Sequence, residues 1–153
     1  MHLIAIGRLR AGPEQALLDR YTARLRPPPT MLELPEARGS AAVIKRKEAT
    51  ALLDAVPRDA FAVALDQGGQ ALNSEAFAAR LDQWSSHGRR ICFMIGGAEG
   101  LDAQVIDRAD YVLSFGPMTW PHLLARVMLA EQLYRAQSIA QRHPYHRAGR
   151  PGD

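Results

Sequence analysis

The feature that most constrains this chain is the alternation of short apolar runs with amphipathic stretches. Apolar runs stand at His2–Ile6, Met31–Leu34, Phe61–Leu65, Arg90–Ile95 and Tyr111–Ser114. Between them the spacing predicts helices over Pro13–Leu25, Ala41–Ala55, about Ser74–Ser86, Asp102–Arg108 and Pro121–Ala140. In the first of these, Ala16, Leu17, Tyr21 and Leu25 fall near one face, and in the last a proline occupies the first turn, where its missing N–H costs nothing. Pro27-Pro28-Pro29 breaks the chain, and Asp66-Gln67-Gly68-Gly69-Gln70 reads as a turn closing the third strand. Strands alternating with helices predict an α/β domain built on a parallel or mostly parallel sheet. At 153 residues, with no repeat and no linker, one domain with a proper core is expected.

Composition narrows the classes of function. No apolar run approaches the roughly 18 residues of a membrane span, and Met1–Gly7 lacks a signal-peptide layout, so a cytoplasmic protein is expected. The single Cys92 lies inside an apolar run, which predicts a buried thiol and no disulfide framework. No set of His, Cys and carboxylate residues has metal-ligand spacing, so no metal is expected. Of 19 basic residues only Lys45 and Lys47 are lysines, and the sequence pI is about 9.4. Basic residues gather at Arg38–Lys47 and Arg142–Arg150. Such clusters suit a nucleic-acid backbone, and equally suit a solvated basic face.

In an open α/β sheet, ligands sit beyond the carboxyl ends of the strands. Three such ends are marked: Leu65-Asp66, the glycine turn Gly96-Gly97-Ala98-Glu99-Gly100, and the loop from Phe115 to Trp120. The glycine turn has neither the lysine of a phosphate-binding loop nor the spacing of a dinucleotide fingerprint. It is either a close-approach wall for a ligand or a plain tight turn. Glu131 and Arg135 stand four apart on the last helix, as a surface ion pair or as an arginine aimed by a carboxylate. Arg126 is expected near the same face, and His122 either to contact an anion or to pack. Beyond that helix, His143, Tyr145, His146 and Arg147 form an apparently exposed tail. It could stack on a base, hold a phosphate and, through His146, accept a proton.

These segments taken in order closely resemble the ribosomal RNA large subunit methyltransferase H family of small SPOUT-class methyltransferases. The matching residues are Leu65-Asp66, Ile95-Gly96-Gly97, Met118-Thr119-Trp120-Pro121-His122, Arg126, Glu131-Gln132-Leu133-Tyr134-Arg135-Ala136 and Pro144-Tyr145-His146-Arg147. The resemblance spans nearly the whole chain. It implies a SPOUT-type single domain over 1–153, with helices on both faces of a mostly parallel sheet. It also implies a C-terminal trefoil knot within a cofactor-binding part of about 63–147, and a homodimer. The implied cofactor is S-adenosyl-L-methionine (AdoMet), held by Leu65, Gly97, Phe115, Gly116, Pro117, Met118, Thr119 and Trp120. The implied reaction is methylation of N3 of a pseudouridine in helix 69 of 23S rRNA on the assembled ribosome. His146, Arg147, Arg135, Glu131 and Tyr145 would carry it, with the tail supplied by the partner subunit. His146 would assist removal of the N3 proton, and Arg135 and Arg147 would hold phosphate or the developing anion.

Two departures stand out. Gly116-Pro117 replaces a Ser-Lys common in the family, and residues 148–153 extend the usual terminus. The rival expectations are a SPOUT methyltransferase acting on tRNA, or a ribosome-binding factor without activity.

Overall fold

The computed structural model describes residues 1–147; the extension 148–153, with Arg150 of the second basic cluster, lies outside the described residues. Five strands and five helices alternate along the chain. They are β1 (His2–Ile6), α1 (Pro13–Thr22), β2 (Thr30–Leu34), α2 (Ala41–Ala55), β3 (Phe61–Ala71), α3 (Ser74–Ser86), β4 (Ile91–Ile95), α4 (Ala103–Arg108), β5 (Tyr111–Ser114) and α5 (His122–Ala140). The strands form one parallel sheet in the order β2-β1-β4-β3-β5. β1 and β4 lie inside it, and their residues Leu3–Ile6 and Ile91–Ile95 are buried on both faces. That explains why these strands read as continuous apolar runs and show no alternation.

Period-two geometry divides the core between two layers. Leu3, Ala5, Val63, Phe93, Ile95 and Leu113 point to one face, where Phe77 and Trp84 of α3 and Leu129 and Leu133 of α5 cover them. Ile4, Ile6, Ala62, Ala64, Cys92 and Met94 point to the other, against Leu52 of α2 and Val105 of α4. α1 joins the first layer by packing Leu18 on Val127 and Ala130. Helices thus lie on both faces. Cys92 is a buried core thiol, and burial pushes its pKa up.

Helix starts follow local chemistry. The side chains of Asn73 and Asp102 accept the N–H groups of Ala76 and Gln104, capping α3 and α4. Pro121 is the N-cap of α5 and lies just outside its first turn. α1 ends at Thr22, short of Leu25, although Leu25 is still buried by the chain that follows.

The expected turn at Asp66–Gln70 does not end β3, which runs on to Ala71. Leu65 and Gln70 both pair with Leu113 of β5, so residues 66–69 leave the ladder. The residues between form a bulge that lets β5 pass close. A Cβ on Gly69 would meet the Val112 carbonyl oxygen at 2.6 Å, so glycine is required there by contact and marks no turn.

Candidate active site: a cofactor cleft and a docked tail

The carboxyl ends of β3, β4 and β5 open into a cleft of about 350 Å³. One wall is the backbone of Gly96–Gly100, turned by a bond from the Gly100 N–H to the Gly97 carbonyl at 3.1 Å. Gly97 presses against the fold: a Cβ there would meet the Glu48 carboxylate at 2.9 Å and Ile6 at 3.0 Å. The opposite wall is the loop between β5 and α5. It is pinned to the β3 bulge by Ser114, whose hydroxyl donates to the Gln67 carbonyl at 3.1 Å, and by Thr119, whose hydroxyl reaches Gln67 Oε1 at 3.4 Å. Gly116 has φ of +100°, a conformation that other residues adopt only under strain. Met118 and Trp120 are 69% and 41% exposed at the rim, and apolar side chains of that size standing in water suit a ligand with an aromatic ring. Leu65, Gly97, Phe115, Gly116, Met118, Thr119 and Trp120 all line the cleft; Pro117, expected with them, does not.

A second group of expected residues assembles elsewhere. α5 ends at Ala140, and Arg142, at φ of +52°, turns the chain back. The tail then docks on the helix instead of standing in solvent. The Tyr145 hydroxyl donates to Glu131 Oε1 at 3.0 Å, and its ring meets Tyr134 edge-on with centroids 4.6 Å apart. The Arg135 guanidinium lies 4.9 Å from the centre of the same ring and is paired with Glu131. His146 Nε2 sits 2.7 Å from Glu75 Oε1, at the start of α3. Arg147 is exposed.

Charges here are mutually set. Hydrogen bonding to Glu131 raises the pKa of Arg135, so it stays a cation. Burial, with the bond to Glu131, pushes the Tyr145 phenol well above its usual range, which makes it a donor and not a base. Glu75 is held below its ordinary pKa by its own backbone N–H and then by His146. An apolar groove of about 700 Å³, lined by Leu17, Tyr21, Phe77, Val127 and Met128, runs beside this cluster to Phe115 and Gly116.

Arg126 does not share the Arg135 face. Nine residues make two and a half helical turns, so the two point to opposite sides. Arg126 is completely buried beneath the β1–β2 edge, donating to Glu33 Oε1 at 3.2 Å and to the Ile6 carbonyl. Its role is architectural. His122 lines the cleft, 4.0 Å from Glu36, and burial followed by the nearby Arg126 charge lowers its pKa, so it is a neutral imidazole at pH 7. Among the described residues no group of three or more His, Cys, Asp or Glu could hold a metal ion, and no helix is long and apolar enough to cross a membrane.

Sequence reading missed Lys45 and Gln67 in the cleft, and Glu75 beside the tail. Glu75 carried only the signal of an acidic residue in a first helical turn, since its partner lies 71 positions away.

A family model described as predicted SPOUT methyltransferase matches residues 1–146. This chain belongs to the SPOUT methyltransferase family. It is 58% identical over 151 residues to the ribosomal RNA large subunit methyltransferase H of Gluconacetobacter diazotrophicus, covering 99% of both chains. The protein of that name from Acidiphilium cryptum is 56% identical, over 99% of this chain and 96% of its own. Among solved structures, a probable methylase family protein from Haemophilus influenzae superposes with a TM-score of 0.59 over 96% of this chain and 70% of its own, at 9% identity, a likeness of fold.

The cofactor of SPOUT methyltransferases is AdoMet, and the cleft fits it. The volume falls within the usual range for small-molecule sites. Trp120 and Met118 expose apolar side chains at the rim of the cleft, and the glycine turn offers backbone that a ligand can approach closely.

Proposed function

We propose that this methyltransferase acts on N3 of a pseudouridine in helix 69 of 23S rRNA, in the assembled ribosome and therefore in the cytoplasm, as a homodimer with the trefoil knot of its class. Large-subunit RNA is the substrate named for the relatives at 58% and 56% identity. The observation that carries the reading is a separation. None of Glu131, Arg135, Tyr145, His146 or Arg147 lines the cleft that fits AdoMet. Methyl donor and proton-handling groups therefore occupy different places on one chain, and a second copy can bring one to the other.

Bound AdoMet supplies an activated methyl group, so no metal or covalent enzyme intermediate is needed. The cleft's task is orientation, which in favourable cases lowers a barrier by roughly 7–11 kcal/mol. The imide N3–H of pseudouridine is weakly acidic, and its proton must leave before or during attack. His146, or a water that it orders, takes that proton, a contribution of roughly 10²–10⁴-fold. Arg135, kept cationic and aimed by Glu131, and the exposed Arg147 stabilise the imide anion or a flanking phosphate. One face of the Tyr145 ring is covered by Arg135, so Tyr145 organises the group around Glu131 while offering its remaining surface to the base.

The test is transfer of labelled methyl from AdoMet to ribosomes lacking this methyl group, with pseudouridine-free ribosomes and naked tRNA as controls. Label confined to pseudouridine-containing large-subunit RNA is expected. Label on tRNA, or none anywhere from protein that binds AdoMet, overturns the substrate assignment.

A further inference from the structure

The tail histidine is held at one nitrogen only. Its Nε2 lies 2.7 Å from Glu75 Oε1, while its Nδ1 is buried and has no hydrogen-bond partner. The His146 side chain is 16% exposed and Glu75 is 50% exposed, so the carboxylate keeps contact with water while the ring is largely covered. A buried acceptor left unpaired costs about 1–3 kcal/mol, which makes it a notable feature of a folded chain.

Glu75 is well placed to fix this ring. It lies in the first turn of α3, where the helix N-terminus favours a negative charge. The start of α3 is tied to α5 by the Ser74 hydroxyl, which donates to Gln132 Oε1 at 3.0 Å. Gln132 in turn donates to Glu131 Oε2 at 2.8 Å. Glu75, Glu131, Arg135, Tyr145 and His146 are therefore one connected network drawn from α3, α5 and the tail.

We infer that Glu75 is a positioning residue for His146: it accepts the Nε2 proton, fixes that tautomer, and leaves Nδ1, covered in the free chain, as the atom that receives the substrate proton once the bound base displaces its cover. This rests on the proposed role of His146 as base. In the step itself, the pseudouridine N3–H bond breaks as its proton passes to Nδ1. The N3 lone pair forms the new bond to the methyl carbon while the methyl–sulfur bond breaks, leaving neutral S-adenosyl-L-homocysteine. His146 is then an imidazolium whose Nε2–H still faces the Glu75 carboxylate, so the new charge forms next to its counter-ion. The proton later passes to solvent. A carboxylate that holds an imidazole in one tautomer is the arrangement known to matter in hydrolytic triads.

The test is a double-mutant cycle on turnover with ribosomes, using Glu75→Ala, Glu75→Asp, His146→Ala and the Glu75→Ala/His146→Ala pair, each checked for folding by thermal melting. Glu75→Ala is expected to lower kcat roughly 10- to 100-fold, part of the roughly 10²–10⁴-fold that a positioned base contributes, with KM for AdoMet unchanged. Glu75→Asp should recover part of the loss, and Glu75→Ala should cost nothing further in the His146→Ala background. In ¹⁵N-histidine-labelled protein, His146 should report a single neutral tautomer with the proton on Nε2 in the wild type, and a mixture in Glu75→Ala. Wild-type kcat in folded Glu75→Ala, with His146→Ala inactive, overturns the positioning role alone. Wild-type kcat in His146→Ala overturns both that role and the base assignment.

Discussion

Among the described residues Arg126 is the most buried charge, and it answers to the β1–β2 edge and not to a substrate. Removing Arg126 takes one partner from the half-buried Glu33, which keeps the Leu9 N–H, and leaves the buried Ile6 carbonyl without this donor, at about 1–3 kcal/mol. Arg126→Met is therefore expected to lower the urea midpoint strongly with little change in m-value, the mark of lost stability without a change in compactness. His122, beside it, predicts the acid response. Burial and the Arg126 charge hold its pKa below the ordinary 6.5, so the unfolded chain binds more protons in the window just below that value. Stability from His122 is present above pH 6.5 and is lost as pH falls toward its folded pKa. His2, lowered by burial and Arg90, adds with the same sign. Urea midpoints at pH 7 and pH 5 should fall further in the wild type than in His122→Gln.

Among the elements, the β3 bulge and the β5–α5 loop decide the shape of the cleft, and here sequence and structure part company. The strands and helices were legible because buried parallel strands are continuous apolar runs and because Asn73 and Asp102 announce their helices. Asp66–Gln70 was misread because two adjacent glycines serve a bulge as well as a turn, and only the approach of Val112 distinguishes them. The cleft residues and the Glu131–Arg135 pair were readable from strand ends and helical spacing. The engagement of Tyr145 and His146 was not, since a histidine finding a carboxylate 71 positions away leaves no local trace. Gly69→Ala is expected to force β5 outward at its contact with Val112, at a cost of about 1–3 kcal/mol. Calorimetric titration should show weaker AdoMet binding in this variant, because Ser114 and Gln67 transmit the shift to the loop.

For the molecule as a whole, the proposed dimer, in which each tail completes the partner's cleft, predicts complementation between variants. His146→Ala has an intact cleft and a disabled tail; Ala98→Trp, at an exposed position on the cleft wall, blocks cofactor binding and keeps its tail. Each alone should be inactive. Refolded as an equal mixture, half the dimers are mixed and each mixed dimer has one sound site, so about a quarter of wild-type activity should return. A mixture that stays inactive, with both variants folded and dimeric, would place the tail's action within its own chain.

The helix α5 has a further consequence. It carries His122 of the cleft at one end and Arg135 of the tail network toward the other, about 20 Å apart along a rigid rod at 1.5 Å per residue. Under the proposed reading the partner's tail bridges that gap, so a lone chain holds its methyl donor and cannot spend it. The enzyme then carries its own dosage control: specific activity falls with dilution below the subunit dissociation constant, and newly made protein stays silent toward RNA until enough copies accumulate to pair.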